Sequence, residues 1–138
     1  MTRRRALKAV MTLMALVIAF GAAAAGTQTS DQGGIVVRVT PGRFAPEAAT
    51  WDFEMVFETH TAPLTGDPAR FTVLLDPQGQ TQMPLRWDGD PPGGHHRKGV
   101  LRFQPLRPVP TSVTLKIRGV GGVPERAFTW PAANRDVR

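Results

Sequence analysis

The chain contains no cysteine. That removes disulfides, thiolate metal sites, thiol nucleophiles, haem attachment through cysteine and a lipidated N-terminal cysteine. The domain must be held by its apolar core, and the roughly 110 residues after the N-terminal segment are enough for one. Serine is almost as scarce, with Ser30 and Ser112 the only two, so no serine nucleophile constellation stands out. There is no His-x-x-x-His pair, no internal repeat, no low-complexity block and no basic stripe interleaved with aromatics. Glu58 and Asp67 are the carboxylates one would pair as acid and base, but nothing in the sequence marks their spacing or pKa.

Acidic residues are missing from the first thirty positions, and this changes how the charge is read. The formal net charge is +6, but Arg3, Arg4, Arg5 and Lys8 all precede residue 10. The remainder carries 13 Lys and Arg against 11 Asp and Glu, a charge near +2. Mild basicity of this kind gives no reason to expect nucleic acid as a partner. The four early cations are followed by an uncharged run over 9–25 that ends in Gly21-Ala22-Ala23-Ala24-Ala25. This order is that of an export signal with a small-residue cleavage site. The run is 17 residues long, at the short end of what spans a bilayer, so a retained membrane anchor is the alternative. Thr2-Arg3-Arg4-Arg5-Ala6-Leu7-Lys8 resembles a twin-arginine export motif, with Ala6 where that family usually has Phe. The n-region of the general secretory route accounts for the same residues.

Residues 26–34 are small and polar and read as a linker. Beyond them, short runs alternate with period two between Pro and Gly turns. Over 51–59, Trp51, Phe53, Met55, Phe57 and Thr59 face one way and Asp52, Glu54, Val56 and Glu58 the other. Weaker runs follow the same rule at 35–40, 71–76, 81–87, 100–103, 113–117 and 126–130. They put Phe71, Val73 and Leu75 on one face, and Met83, Leu85 and Trp87 on another. Pro84 marks its run as an edge strand. Seven short strands predict an all-β, immunoglobulin-like antiparallel sandwich over 35–131, followed by a flexible tail at 132–138. A small barrel is the competing closure.

Glycine and proline concentrate in Asp88-Gly-Asp-Pro-Pro-Gly-Gly-His-His-Arg-Lys-Gly99, which holds His95 and His96 and reads as a loop. Successive antiparallel strands bring alternate connections to one end of a sandwich. Strand counting therefore gathers 60–67, 88–99 and 119–125 at a common end, with His60, Asp67, Asp88, Asp90, His95, His96 and Arg97 among them. Neutral imidazoles with a carboxylate suit copper or zinc. The expected metal ligands are His60, His95, His96 and Asp67. Arg97, with Asp88 or Asp90, is expected to brace the loop or to meet an anion. On regular strand His95 and His96 would point to opposite faces, so a shared ion requires irregular backbone after Gly93-Gly94.

Trp87-x-Gly89-x-Pro91-Pro92-Gly93-Gly94-His95-His96-Arg97-x-Gly99-Val100-Leu101-x-Phe103 and Gly121-Gly122-Val123-Pro124-Glu125-Arg126-x-Phe128-x-Trp130, with Trp51-x-Phe53 and Thr59-His60-Thr61, resemble a group of small exported prokaryotic proteins. The resemblance covers most of the domain and implies an exported domain type, with no reaction attached. Periplasmic copper carriers and copper-dependent polysaccharide oxygenases often use an N-terminal histidine, whereas no histidine precedes His60 here. Two functions are expected. One is a non-catalytic exported sandwich whose loop site binds copper or zinc. The other is a periplasmic or membrane-tethered structural or protein-interaction module whose histidines only brace the loop.

Overall fold

The clearest alternation in the sequence becomes the clearest strand. Trp51, Phe53, Met55, Phe57 and Thr59 are all buried, and none of the residues between them is. In the computed structural model, which describes residues 26–133, the elements in chain order are β1 Gln28–Gln32, β2 Ile35–Pro41, β3 Trp51–Thr59, α1 Pro68–Phe71, β4 Thr72–Leu75, β5 Thr81–Gln82, β6 Arg86–Gly89, β7 His96–Phe103, β8 Ser112–Arg118, a 3-10 turn Val120–Gly122 and β9 Glu125–Pro131. One antiparallel sheet has the order β1-β2-β3-β7-β6 and the other β5-β4-β8-β9. The protein is thus a β-sandwich, with no strand common to both sheets. The export signal or anchor expected over 1–25 lies outside the described residues, as do residues 134–138 of the expected tail.

The core fills the space between the sheets. Val37, Val39, Trp51, Phe53, Met55, Leu101 and Phe103 come from the first sheet and Leu74, Val113, Leu115 and Ile117 from the second, all without exposure. Each such side chain contributes about 1.5–3 kcal/mol of transfer free energy. Phe53 joins the layers: its ring lies 5.5 Å from that of Phe103 on a neighbouring strand and 5.7 Å from that of Trp130 across the sandwich.

Four boundaries or phases differ from those the alternation predicts. Residues 26–34 are not a linker: Gln28–Gln32 pairs along its whole length with β2 through a turn at Gly33-Gly34, both at positive φ. A two-residue glycine turn is hairpin chemistry. The strand escapes a hydrophobic pattern because it is an edge with no buried residue. Side chains of β9 hold it instead. The Trp130 indole donates to Gly26 O at 2.8 Å, while the Gln28 amide donates back to Thr129 O at 2.7 Å.

The run over 81–87 divides at Pro84 into β5 in one sheet and β6 in the other. Proline cannot donate to a ladder, and here it stands where the chain changes layers. Met83 and Leu85, read as core-facing, are 58% and 50% exposed. In β4 the phase is reversed, with Leu74 in the core cluster rather than Phe71, Val73 and Leu75 as a set. Thr-Val-Leu-Leu is apolar in both phases and cannot reveal its own orientation. Finally, β7 begins at His96 rather than Val100 and β6 runs on to Gly89, so half of the expected loop over 88–99 is strand.

The change of layer at Pro84 does not reverse the chain, so the strand count still brings the connections to one end. The turns after β1, β3, β6 and β8 all lie at the end where β3 finishes.

The outward face of the first sheet pairs its own charges. Arg38 bonds Glu58, Lys98 lies 3.4 Å from Glu54, and Arg102 bridges Asp52 and Asp88, each at 2.6 Å. The hydrogen bond from Arg38 lowers the Glu58 pKa from its ordinary value, and those from Arg102 and Arg86 lower that of Asp88.

Within the core, the Thr72 hydroxyl is fully buried and has no hydrogen-bond partner among the described residues. An orphaned buried hydroxyl costs about 1–3 kcal/mol. Thr72→Val keeps the shape and removes that cost. It is expected to raise the unfolding free energy by about 1 kcal/mol in urea denaturation, and a loss of stability would show that the hydroxyl is satisfied.

Candidate functional site at the loop end

Two glycines set the geometry of this end. Gly89 on β6 and Gly99 on β7 are direct cross-strand partners, and the Trp87 ring lies over them. A Cβ on Gly99 would stand 2.5 Å from Trp87 Cζ2 and 2.6 Å from Gly89 Cα. The absent side chains make room for the indole, whose Nε1 donates to Asp90 O at 3.0 Å.

Arg97 follows from the same strand. It stands in phase with Gly99, Leu101 and Phe103, so its side chain enters the sandwich, where the residue is 3% exposed. Its guanidinium carbon lies 5.6 Å from the Trp87 ring centre, within cation–π range. Nε donates to Asp90 O at 3.0 Å and Nη1 to Gly66 O at 2.7 Å. The partners are carbonyls, and no Arg97–carboxylate ion pair occurs among the described residues. Burial lowers the Arg97 pKa from its ordinary value, and the charges of Asp67 and Asp90 act in the opposite direction.

Backbone bonds complete the clamp. Leu64 N donates to Gly94 O at 3.0 Å, Gly93 N to Leu64 O at 2.6 Å and Thr59 N to His95 O at 2.9 Å. Lys98 N donates to an Asp90 carboxylate oxygen at 2.8 Å. Asp67 caps α1, accepting from Ala69 N at 2.9 Å, with Pro68 opening the helix. Asp88 pairs with Arg86 and Arg102 on the outer face, away from the Arg97 clamp.

His60 and His96 both lie close enough to Glu58 for their charges to act on it, yet the three histidines are not gathered as a metal site. His60, His95 and His96 are all exposed, and their side chains make no hydrogen bond among the described residues. His96 opens β7 on the outward face, with Nε2 at 3.6 Å from Glu58. Asp67, the fourth expected ligand, spends an oxygen on its helix cap. Among the described residues no group of three or more His, Asp or Glu is placed to hold a metal ion. The side chain that braces the loop is Arg97.

A second buried arginine, absent from the expected site, holds the other half of this end. Arg126 is 2% exposed and stands in phase with Phe128 and Trp130 on β9. Its Nη1 donates to Ser30 Oγ at 2.9 Å and Ile35 O at 3.1 Å, and its Nη2 to Gln32 O at 2.7 Å and Val120 O at 3.2 Å. It thereby ties the β1–β2 turn to the β8–β9 turn. Phase was the signal available: an Arg two and four residues before two buried aromatics shares their face.

Between the two sheets, at this end, a cleft of about 130 Å³ is lined by Ile35, Phe57, Pro63, Leu64, Thr65, Phe71, Arg97 and residues 118–121. The lining has apolar walls and two guanidinium groups, with no carboxylate, imidazole or thiol. It is equipped to hold a small body and to counter negative charge, and Thr65 is the one hydroxyl-bearing side chain among its lining residues.

Gly99→Ala forces the indole and the facing backbone apart and is expected to cost about 1–3 kcal/mol, read by urea denaturation; an unchanged midpoint would refute the packing argument. Arg97→Met leaves the Gly66 and Asp90 carbonyls without their donor and is expected to cost about 2–4 kcal/mol. By contrast, replacing His95 and His96 together by alanine should change stability by less than about 0.5 kcal/mol. A larger loss in the double variant than in Arg97→Met would return the bracing role to the histidines.

Comparison with protein-family models, with curated proteins and with solved structures found no match.

Proposed function

We propose that this chain is an exported, non-catalytic β-sandwich of immunoglobulin-like strand order that acts as a recognition module through the cleft at its loop end. The observation that carries the reading is the cleft itself, apolar-walled, braced on both sides by buried arginines and free of acid–base groups. Concave apolar sites with a few fixed polar groups are where small partners bind. The immunoglobulin-like assignment draws on the sheet orders. β2-β3-β7-β6 facing β5-β4-β8-β9 corresponds to strands A-B-E-D facing C′-C-F-G. In that correspondence β1 is an added edge ribbon. Export draws on the cationic start, apolar run and small-residue site of the first 25 residues. The module is periplasmic or extracellular when that segment is cleaved and membrane-tethered when it is kept.

We prefer this reading to copper or zinc binding, because no group of three or more His, Asp or Glu among the described residues is placed to hold a metal ion. The test is a ¹⁵N-resolved titration of the protein, produced with its own N-terminus, against a panel of small neutral and charged molecules. Binding is expected to move the amides of Leu64, Thr65, Val120 and Gly121. Hits confined to the outward face of the first sheet, or to Met83 and Leu85, would reject the cleft as the recognition site, as would an absence of hits.

A further inference from the structure

The charges of this molecule divide into two populations. Those on the outward face of the first sheet neutralise one another through Arg38–Glu58, Lys98–Glu54 and Arg102–Asp52. The cleft differs: Arg118 at its rim lies 3.8 Å from Glu125, while Arg97 has no ion pair among the described residues and feels Asp67 and Asp90 only through their nearby charges. Arg97 is buried, yet its acceptors are two neutral carbonyls, and Nη2 has no acceptor among the described residues. The nearest acidic side chains are committed elsewhere, Asp67 to Ala69 N and Asp90 to Lys98 N. A buried charge without a counter-ion is costly and is normally paired.

A guanidinium presents its donors as a planar fork that matches a carboxylate. The opposite lip of the same cleft adds Arg118, whose side chain is 60% exposed, and the turn at 119–121. There Gly119 and Gly121 take positive φ on either side of Val120, and Gly119 N donates to Val123 O at 3.0 Å, which closes the turn. The walls are Ile35, Phe57, Leu64 and Phe71. A volume of about 130 Å³ is close to that of the roughly 150 Å³ apolar cavity that accepts benzene. It holds one branched or aromatic group and is too small for an acyl chain.

We propose that the cleft binds a carboxylate carried on a short branched or aromatic body, with the acid between Arg97 and Arg118 and the body against Phe57 and Leu64. The ligand is either a free small acid or the C-terminal residue of a peptide ending in leucine or phenylalanine; the recognition chemistry is the same. This rests on the reading of the cleft as the recognition site.

The experiment compares matched acids and amides on the intact protein near neutral pH: benzoate with benzamide, 3-methylbutanoate with its amide, and a leucine-terminated tripeptide with its C-terminal amide. Each binding acid is expected to exceed its amide by about tenfold in affinity, the worth of a charge-assisted pair. It should also shift the guanidinium ¹⁵N resonances of Arg97. Binding by the small acids identifies a metabolite-type ligand, and binding by the peptide acid alone identifies a chain end. Arg118→Gln lies at the rim and leaves the core untouched; it should weaken the acids about threefold and reduce their salt dependence. Equal binding of acid and amide in the cleft would overturn the carboxylate inference while leaving the recognition module standing. Failure of every acid and amide to bind would overturn both. Acid binding that ignores Arg118→Gln and leaves Arg97 unshifted would overturn the assignment of the acid to this pair.

Discussion

The loop end of this sandwich depends on a supply of buried hydrogen-bond donors, and two arginines provide it. Turns that close a sandwich leave carbonyls that neither ladder satisfies, and a chain without cysteine cannot staple them covalently. Arg97 donates to Gly66 and Asp90, and Arg126 to residues of the β1–β2 and β8–β9 turns. Both side chains stand in the core phase of their strands, near the ends that reach the loops. The alternation that packs Leu101, Phe103, Phe128 and Trp130 therefore also delivers a cation to each half of this end. Burial opposes the charge of both groups, so their hydrogen bonds must offset a desolvation cost.

The loop that carries the paired histidines is held by the same principle. Trp87 lies over the side-chain-free Gly89–Gly99 pair, bonds Asp90 and lies beside the Arg97 guanidinium. Asp90 is the node of this arrangement: its carbonyl receives two side-chain donors and its carboxylate one backbone N–H. The imidazoles stand outside it. Histidine draws attention in a sequence because it titrates and ligates metals, yet the cations buried at this end are the guanidinium groups of Arg97 and Arg126. The outward face of the first sheet has the opposite character, with its charges matched across strands and exposed to water, where pairing contributes modestly.

Much of the architecture was legible from period-two patterning. The β3 strand, the all-β class and the gathering of three loops at one end all follow from alternation and from counting reversals. The reversal count survived the splitting of 81–87 into two strands because Pro84 changes the layer and leaves the direction alone. Patterning failed where it had nothing to report. β1 is polar on both faces, β4 is apolar on both, and Met83 and Leu85 alternate correctly but fall in the passage between sheets. The site was read from residue type: that reading named Arg97 as a loop brace beside the histidines but gave no place to Arg126, which shares a phase with buried aromatics.

By itself, the sequence determined a disulfide-free core, an alternating set of strands, an apolar cationic start and a common end for the loops. These are local or counting properties, set by side-chain period and turn chemistry. The tertiary structure decided which groups that end brings inward. His60, His95 and His96 are left exposed, and Arg97 is carried into the sandwich beside an apolar cleft. The reason is register. Gly89 faces Gly99 and Trp87 fills the space between them, which fixes the face on which Arg97 falls. A pairing between strands made of separate segments is not written in either segment alone.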